Sequence, residues 1–378
     1  MLISGIKYFG EDFRFHYGDI RVEDGHFAEV TERAEQAPEG CDTVLPGMVD
    51  IHLHGNNAID FSDGDYDDLL TVARYLAKKG TTSFSATSMT LPEEPLAKAY
   101  RAAVRLRDEA PANCAVIRGI TMEGPFFSEA KKGAHEARYL QVPDAAMLRR
   151  LQIVADGLIR IACVAPEIDG ALDYIREVRE MGIVVAAAHS NARYEEAIAG
   201  FEAGISHLTH LFNAMPPLLH REPGMIGAAA ERTDVTAELI SDGIHVHPSA
   251  VRAAFKLFGP QRICLISDAI PAAGLPEGGT ALLGGQKITI TNGRAILEGG
   301  TLAGSIATLF DSVKEAIKMG IQAEDALRCA TANPARVLGA TDVGVIAEGK
   351  RADYLVCGSG LELKEVIIAG RSVERASE

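Results

Sequence analysis

Two histidines stand at i and i+2 in Gly47-Met48-Val49-Asp50-Ile51-His52-Leu53-His54-Gly55, an apolar run that closes in glycine. Side chains on a strand alternate between faces, so His52 and His54 project side by side from one face, as a metal-binding pair does. Such a pair also arises by chance, and this one gains weight from its company. Glu123, His189, His210 and Asp268 each close an apolar run further along the chain. Imidazole nitrogens and carboxylate oxygens suit a divalent ion such as zinc or iron, and a coordination position left to water suits hydrolysis. For His207 the bland reading, a buried imidazole satisfying a neighbouring group, is preferred. Asp268 alone could cap a helix. In convergence with the others it reads as part of the site.

These residues need strands that all end at one mouth. From Gly47 onward the chain alternates apolar strand, glycine or polar turn, and amphipathic helix, with strands near 47–54, 81–86, 116–122, 159–164, 183–188, 205–210, 235–240 and 263–267. Helical patterns at 65–79, 169–181 and 248–257 follow three of them. The alternation predicts an α/β fold, a parallel (β/α)8 TIM barrel, with a doubly wound open sheet as the alternative. In a barrel the C-terminal strand ends carry the chemistry, and the six residues named above all sit there. Strand five stops at His189 before Ser190-Asn191, where a helix cap is expected.

The flanks differ in texture. Short strands are expected at 2–8, 13–16, 18–22 and 26–31, and Asn292-Gly293 between the β-prone runs 287–291 and 294–297 is a strong hairpin signal. Helices follow at 304–319 and 323–330, and 343–373 returns to short strands. The expected organisation is a small β-sandwich domain formed by 1–45 plus 343–378, and a metal-dependent barrel over 46–342.

Composition narrows the partners. With 378 residues, 47% hydrophobic, the chain can bury a large core. A net charge of -15 argues against nucleic acid and anionic membranes, so any anionic ligand must be held by local basic groups. Six cysteines without a CxxC suggest core packing in a reducing cytoplasm rather than disulfides or a thiolate zinc site. No stretch approaches the roughly 20 apolar residues that span a bilayer.

The run 46–55 resembles the first-strand signature of the amidohydrolase superfamily. Met122-Glu123-Gly124-Pro125-Phe126 with Lys131-Lys132-Gly133-Ala134-His135 is similar to the N-acetylglucosamine-6-phosphate deacetylase family within it. So are His207-Leu208-Thr209-His210-Leu211-Phe212-Asn213-Ala214-Met215, Arg221-Glu222-Pro223-Gly224, Asp242-Gly243-Ile244-His245 and Ser267-Asp268-Ala269. The resemblance runs in order from about residue 46 to Asp353 and is weaker in the small-domain segments.

The resemblance implies removal of the acetyl group from N-acetyl-D-glucosamine 6-phosphate, giving D-glucosamine 6-phosphate and acetate. It implies Glu123, His189 and His210 as main metal ligands, and His52 and His54 as a second position, hence one or two divalent metals per chain. Asp268 takes the general acid/base role, and His135, beside Ala134, contacts the sugar and helps polarise the acetyl carbonyl. Asn213, Ala214, Arg221, the turn Asp242, Gly243, Ile244 and His245, and the loop Leu302, Ala303 and Gly304 are the remaining substrate contacts. Arg221 and His245 are the expected phosphate partners, one or both reaching across a homodimer interface. The N-acetylgalactosamine 6-phosphate isomer, which differs at one hydroxyl, is an alternative substrate. Another is a cyclic amide, which a carboxylated lysine at a strand end would favour, yet no expected strand ends in lysine. A relic, non-catalytic barrel is disfavoured because every ligand is present.

Overall fold

The computed structural model describes residues 1–374; the last four residues of the tail expected over 343–378 lie outside the described residues. The chain opens with strands β1 (Leu2–Phe9), β2 (Phe15–Glu23), β3 (His26–Glu32) and β4 (Thr43–Pro46). The two strands expected at 13–16 and 18–22 run together as β2. Gly18 continues that strand because β3 passes so close that a Cβ there would stand 2.0 Å from the Thr31 carbonyl oxygen.

Next come β5 (Met48–Leu53), the short pair β6 (Gly55–Asn56) and β7 (Ile59–Asp60), α1 (Tyr66–Lys78), β8 (Thr81–Ser88), α2 (Glu93–Glu109), β9 (Val116–Met122), α3 (Ala145–Val154) and β10 (Ile159–Val164). The alternation continues through α4 (Ala171–Glu180), β11 (Val184–Ala187), α5 (Tyr194–Ala203), β12 (His207–Leu208), α6 (Gly224–Ala230), β13 (Thr236–Ile240), α7 (Pro248–Phe258) and β14 (Ile263–Ile266). Eight of these strands form one parallel sheet in the order β5-β8-β9-β10-β11-β12-β13-β14. The sheet closes on itself. The Asp268 N–H donates to the His52 carbonyl at 3.0 Å, and Asp50 Oδ1 accepts from the Ser267 N–H at 3.3 Å. This seam excludes the open-sheet alternative and makes the fold a TIM barrel with a small terminal β domain.

Local sequence explains the helices. Asp65 caps α1 by accepting from the Asp67 and Asp68 N–H groups, and Leu69, Val72, Ala73, Leu76 and Ala77 recur at helical spacing to bury one face. Each large side chain so buried contributes about 1.5–3 kcal/mol. The cap expected at Ser190-Asn191 falls later. Helix α5 starts at Tyr194, where the Glu196 carboxylate accepts from the Arg193 N–H at 2.7 Å, while Ser190 Oγ accepts from the Ala192 N–H at 3.0 Å and donates to Glu167 at 2.7 Å.

Beyond β14 lies a three-stranded antiparallel sheet, β15 (Thr280–Leu283), β16 (Gln286–Thr291) and β17 (Arg294–Leu297). Asn292 and Gly293 turn the hairpin with φ of 52° and 68°, as a type I′ turn requires. Leu283, Ile288 and Ala303 pack with Met89 and Ile270, so this sheet roofs the strand ends. Helix α8 (Leu309–Lys318) starts five residues later than expected, because Thr308 caps it by accepting from the Asp311 N–H, leaving 302–304 as loop. Helices α9 (Ala323–Ala330) and α10 (Ala332–Leu338) complete the barrel.

In the tail, 343–353 carries isolated bridges and the regular strands are β18 (Tyr354–Cys357), β19 (Leu363–Ile368) and β20 (Arg371–Ser372). Strands from both ends share one sheet, β20-β19-β18-β4-β1-β2-β3. It folds over on itself, because Phe27 and Gly25 at its β3 edge are hydrogen-bonded to residues 349–352, which lead into β18. Tyr8, Ile20, Phe27, Val44 and Tyr354 form its core. Five of the six cysteines are buried, and no helix among the described residues is long and apolar enough to cross a membrane.

Candidate metal centre and its cavity

At the mouth of the barrel the backbone turns sharply. His189, His210 and Asp268 have φ of 45°, 30° and 48°, a left-handed conformation that non-glycine residues adopt at a cost. The turn ends each strand and sends these side chains toward the barrel axis.

There they meet the Glu123 carboxylate, which is 2% exposed and has histidines on both sides. Its Oε1 lies 3.2 Å from His189 Nε2 and 3.1 Å from His210 Nε2; its Oε2 lies 3.1 Å from His54 Nε2 and 3.5 Å from His52 Nε2. Asp268 Oδ1 stands 3.7 Å from His52 Nε2 and 3.6 Å from His54 Nε2. The donor atoms thus fall into two triads, Glu123–His189–His210 and His52–His54–Asp268, each with its ligand atoms within 4.8 Å of one another.

The outer nitrogens are tied down. His189 Nδ1 donates to the Lys131 carbonyl at 2.8 Å and His210 Nδ1 to the Asn213 carbonyl at 3.2 Å, leaving each Nε2 to face the centre. His52 Nδ1 reaches Glu238 Oε2 at 2.9 Å, and its Nε2 is buried with no hydrogen-bond partner, as is His54 Nδ1. A buried imidazole nitrogen without a partner is costly unless something else occupies its lone pair. An all-nitrogen-and-oxygen donor set with such an orphan fits a divalent cation.

The charges agree. Burial by itself would raise the Glu123 carboxyl, yet His52, His189 and His210 hold it well below the ordinary range. Burial likewise pulls His52 down, and the Glu123 and Glu238 carboxylates lift it well above the usual histidine value. Glu238 stays at about 2 despite burial, held there by His52 and by the hydrogen bond from His207.

A cavity of about 330 Å³ opens beside the triads. Ala134, His135, Asn213, Ala214 and His245 line it, with Leu302, Ala303 and Gly304 across from them. His135 Nδ1 accepts from the Thr90 N–H at 3.2 Å, which places its proton on Nε2, 3.6 Å from Glu123 Oε2. Burial and the neighbouring His189 keep this imidazole neutral, well below the usual histidine range. Asp242 stands behind the wall: it accepts from the Ile244 and His245 N–H groups, both at 2.9 Å, and from His245 Nδ1 at 2.7 Å.

Arg221, Asp242, Gly243 and Ile244 are not among the lining residues. Arg221 is exposed and, among the described residues, makes no ion pair with Glu222. Sequence reasoning gave Lys131 no role and passed over Met89, Leu283 and Thr301, which also line the cavity. It also passed over Glu238, whose signal was a carboxylate inside the apolar run Thr236–Ile240. His207 bonds Glu238 and Thr236 rather than facing the triads.

The Amidohydrolase family pattern matches residues 43–373, and the chain belongs to that family. It is 34% identical over 382 residues to an N-acetylglucosamine-6-phosphate deacetylase from Bacillus subtilis, covering 98% of this chain and 96% of that one. It is 33% identical to an N-acetylgalactosamine-6-phosphate deacetylase from Escherichia coli, with 93% of each covered. Among solved structures, a Mycobacterium smegmatis N-acetyl-D-glucosamine-6-phosphate deacetylase variant in complex with N-acetyl-D-glucosamine-6-phosphate matches with a TM-score of 0.92 and 32% identity over 99% of each chain.

Proposed function

We propose that the protein hydrolyses the acetamide of N-acetyl-D-glucosamine 6-phosphate, releasing acetate and D-glucosamine 6-phosphate. The observation that carries the reading is the pair of donor triads opening onto one cavity, with the His135 Nε2–H aimed into it. Glu123, His189 and His210 would hold one divalent ion, zinc or iron, and His52, His54 and Asp268 a second. Such an ion supplies Lewis acidity and lowers the pKa of water from about 15.7 toward 7.

The chain's own groups do the rest. Asp268 takes the proton of the attacking water and returns it to the amine as the C–N bond breaks. His135, neutral and protonated on Nε2, donates to the acetyl oxygen as negative charge grows there. His245, fixed by Asp242, and Arg221 bind the phosphate, and a guanidinium suits this by its planar, bidentate donors. Arg221 serves the cavity of a second copy in a homodimer. In support, the exposed Leu218 (43%) and Leu219 (51%) flank it on the same loop. Cys114, Cys163, Cys264 and Cys329, buried free thiols, fit a cytoplasmic enzyme. The barrel over 46–342 carries the chemistry, and the small domain of 1–45 with the tail braces it.

Acetate release from N-acetylglucosamine 6-phosphate, its galacto isomer and a cyclic amide, with and without chelator, tests the reading. We expect chelator-sensitive release, fastest with the gluco isomer. No release from either sugar phosphate refutes it.

A further inference from the structure

We propose that Glu238 is a positioning residue that fixes His52 as a metal ligand and so makes the His52–His54–Asp268 triad a binding position in its own right. This rests on the metal-centre reading above. Glu238 sits on β13 with no solvent exposure, and it touches neither the cavity nor the two triads' centre. Its carboxylate collects N–H donors. Oε2 accepts from His52 Nδ1 at 2.9 Å and from the His210 main-chain N–H at 3.1 Å, and Oε1 accepts from His207 Nε2 at 3.1 Å.

The pattern dictates tautomers. A carboxylate only accepts, so the proton of neutral His52 must lie on Nδ1, which leaves the Nε2 lone pair free. That lone pair is the orphaned atom facing Glu123 and Asp268. On the other side, Glu238 Oε1 only accepts, so His207 presents Nε2–H to it, and neutral His207 then accepts at Nδ1 from Thr236 Oγ1 at 2.6 Å, in place of that hydroxyl's longer bond to the Ser206 carbonyl at 3.3 Å. The network is therefore self-consistent with every proton pointed at Glu238 and none at the metal position. With the opposite tautomer His52 would aim an N–H at that position and repel a cation. The carboxylate also raises the basicity of the ring it holds. The grip is unequal: Glu238 holds the His52 side chain but only the backbone of His210, whose imidazole is oriented separately by Asn213.

Zinc titration of chelator-stripped protein against a chromophoric chelator tests this, with Glu238→Gln compared with wild type. The amide keeps the shape and loses the charge. We expect two zinc equivalents in wild type and, in the variant, one of them weakened about 10- to 100-fold with the other unchanged. His207→Gln perturbs the same buried network from the far side and should leave both equivalents within about threefold. Equal weakening of both equivalents in Glu238→Gln, or none, overturns the proposal, as does His207→Gln weakening one equivalent as much as Glu238→Gln does. If Glu238→Gln does not fold, nitrogen NMR of histidine-labelled, zinc-free wild type, titrated upward in pH until the His52 ring is neutral, decides: the one remaining proton on His52 Nδ1 upholds the proposal and on Nε2 overturns it. Wild type that binds a single zinc overturns the proposal while leaving a one-metal deacetylase intact. Wild type that binds none removes the metal reading itself.

Discussion

The main-chain N–H of Asp268 donates to the carbonyl of His52 at 3.0 Å, so the last strand of the barrel is fastened to the first at two residues of the candidate centre. The carboxylate of Asp268 is held by that seam rather than by a flexible loop. Asn tolerates the left-handed backbone that Asp268 adopts. Asp268→Asn should keep the fold and the metal at Glu123, His189 and His210 while lowering kcat by about 10²–10⁴, since an amide cannot carry the proton. Turnover close to wild type at normal metal content would remove Asp268 from this role.

Gly304 supports the same residue from the other side. Its φ is 119°, and an added Cβ would lie 2.6 Å from Ile270 Cγ2 and 3.2 Å from the Asp268 carbonyl oxygen. Gly304→Ala must therefore displace the 302–304 loop or Asp268. A shift of about 1 Å near the chemistry costs about 100-fold. We expect a loss of that order in kcat with a melting temperature only a few degrees lower, measured side by side; unchanged kinetics would show that the loop has no part in placing Asp268.

Mixed dimers test the assignment of Arg221. Arg221→Ala and Asp268→Asn should each be impaired alone. When the two are co-expressed, the Arg221→Ala cavity retains Asp268 and borrows Arg221 from its partner, so activity on phosphorylated sugar should rise well above that of either variant. No gain in the mixture would place Arg221 in its own chain's site or in neither.

The junction of the small sheet with the barrel has a pH signature. Burial raises the Asp353 carboxyl above its usual value of 3.8, against the pull of Arg351, whose Nε donates to it at 2.9 Å. A carboxyl raised in the folded state binds more protons there than in the unfolded chain. Its contribution to stability is thus full below the ordinary carboxylate pKa and is lost as pH rises through the raised value. In urea unfolding, Asp353→Asn should improve relative to wild type as pH rises above the ordinary carboxylate value of 3.8. A difference that is flat with pH would refute the shift.

What the sequence disclosed follows the range of the forces involved. The eight barrel strands and the metal-facing residues at their ends were legible because burial writes period and punctuation into a local stretch. Strands 13–16 and 18–22 read as separate, and only the approach of β3 at Gly18 shows why the chain continues through both as one. Strand β15 escaped notice because its partner across the ladder, rather than its own composition, makes it a strand. Glu238 and Asp50 were visible as carboxylates within apolar runs, but their roles depend on His52 and Ser267, far away along the chain. Arg221 lies outside the cavity on an exposed loop, a placement that its local run of residues does not encode.

The left-handed backbone at His189, His210 and Asp268 sets robustness against activity. Each such residue stores on the order of 1–3 kcal/mol that glycine would release. A library of metal-free chains selected only for heat resistance should therefore drift toward glycine at these three strand ends and accumulate sturdy, inert barrels. Thermostability campaigns on this enzyme need turnover as a second filter.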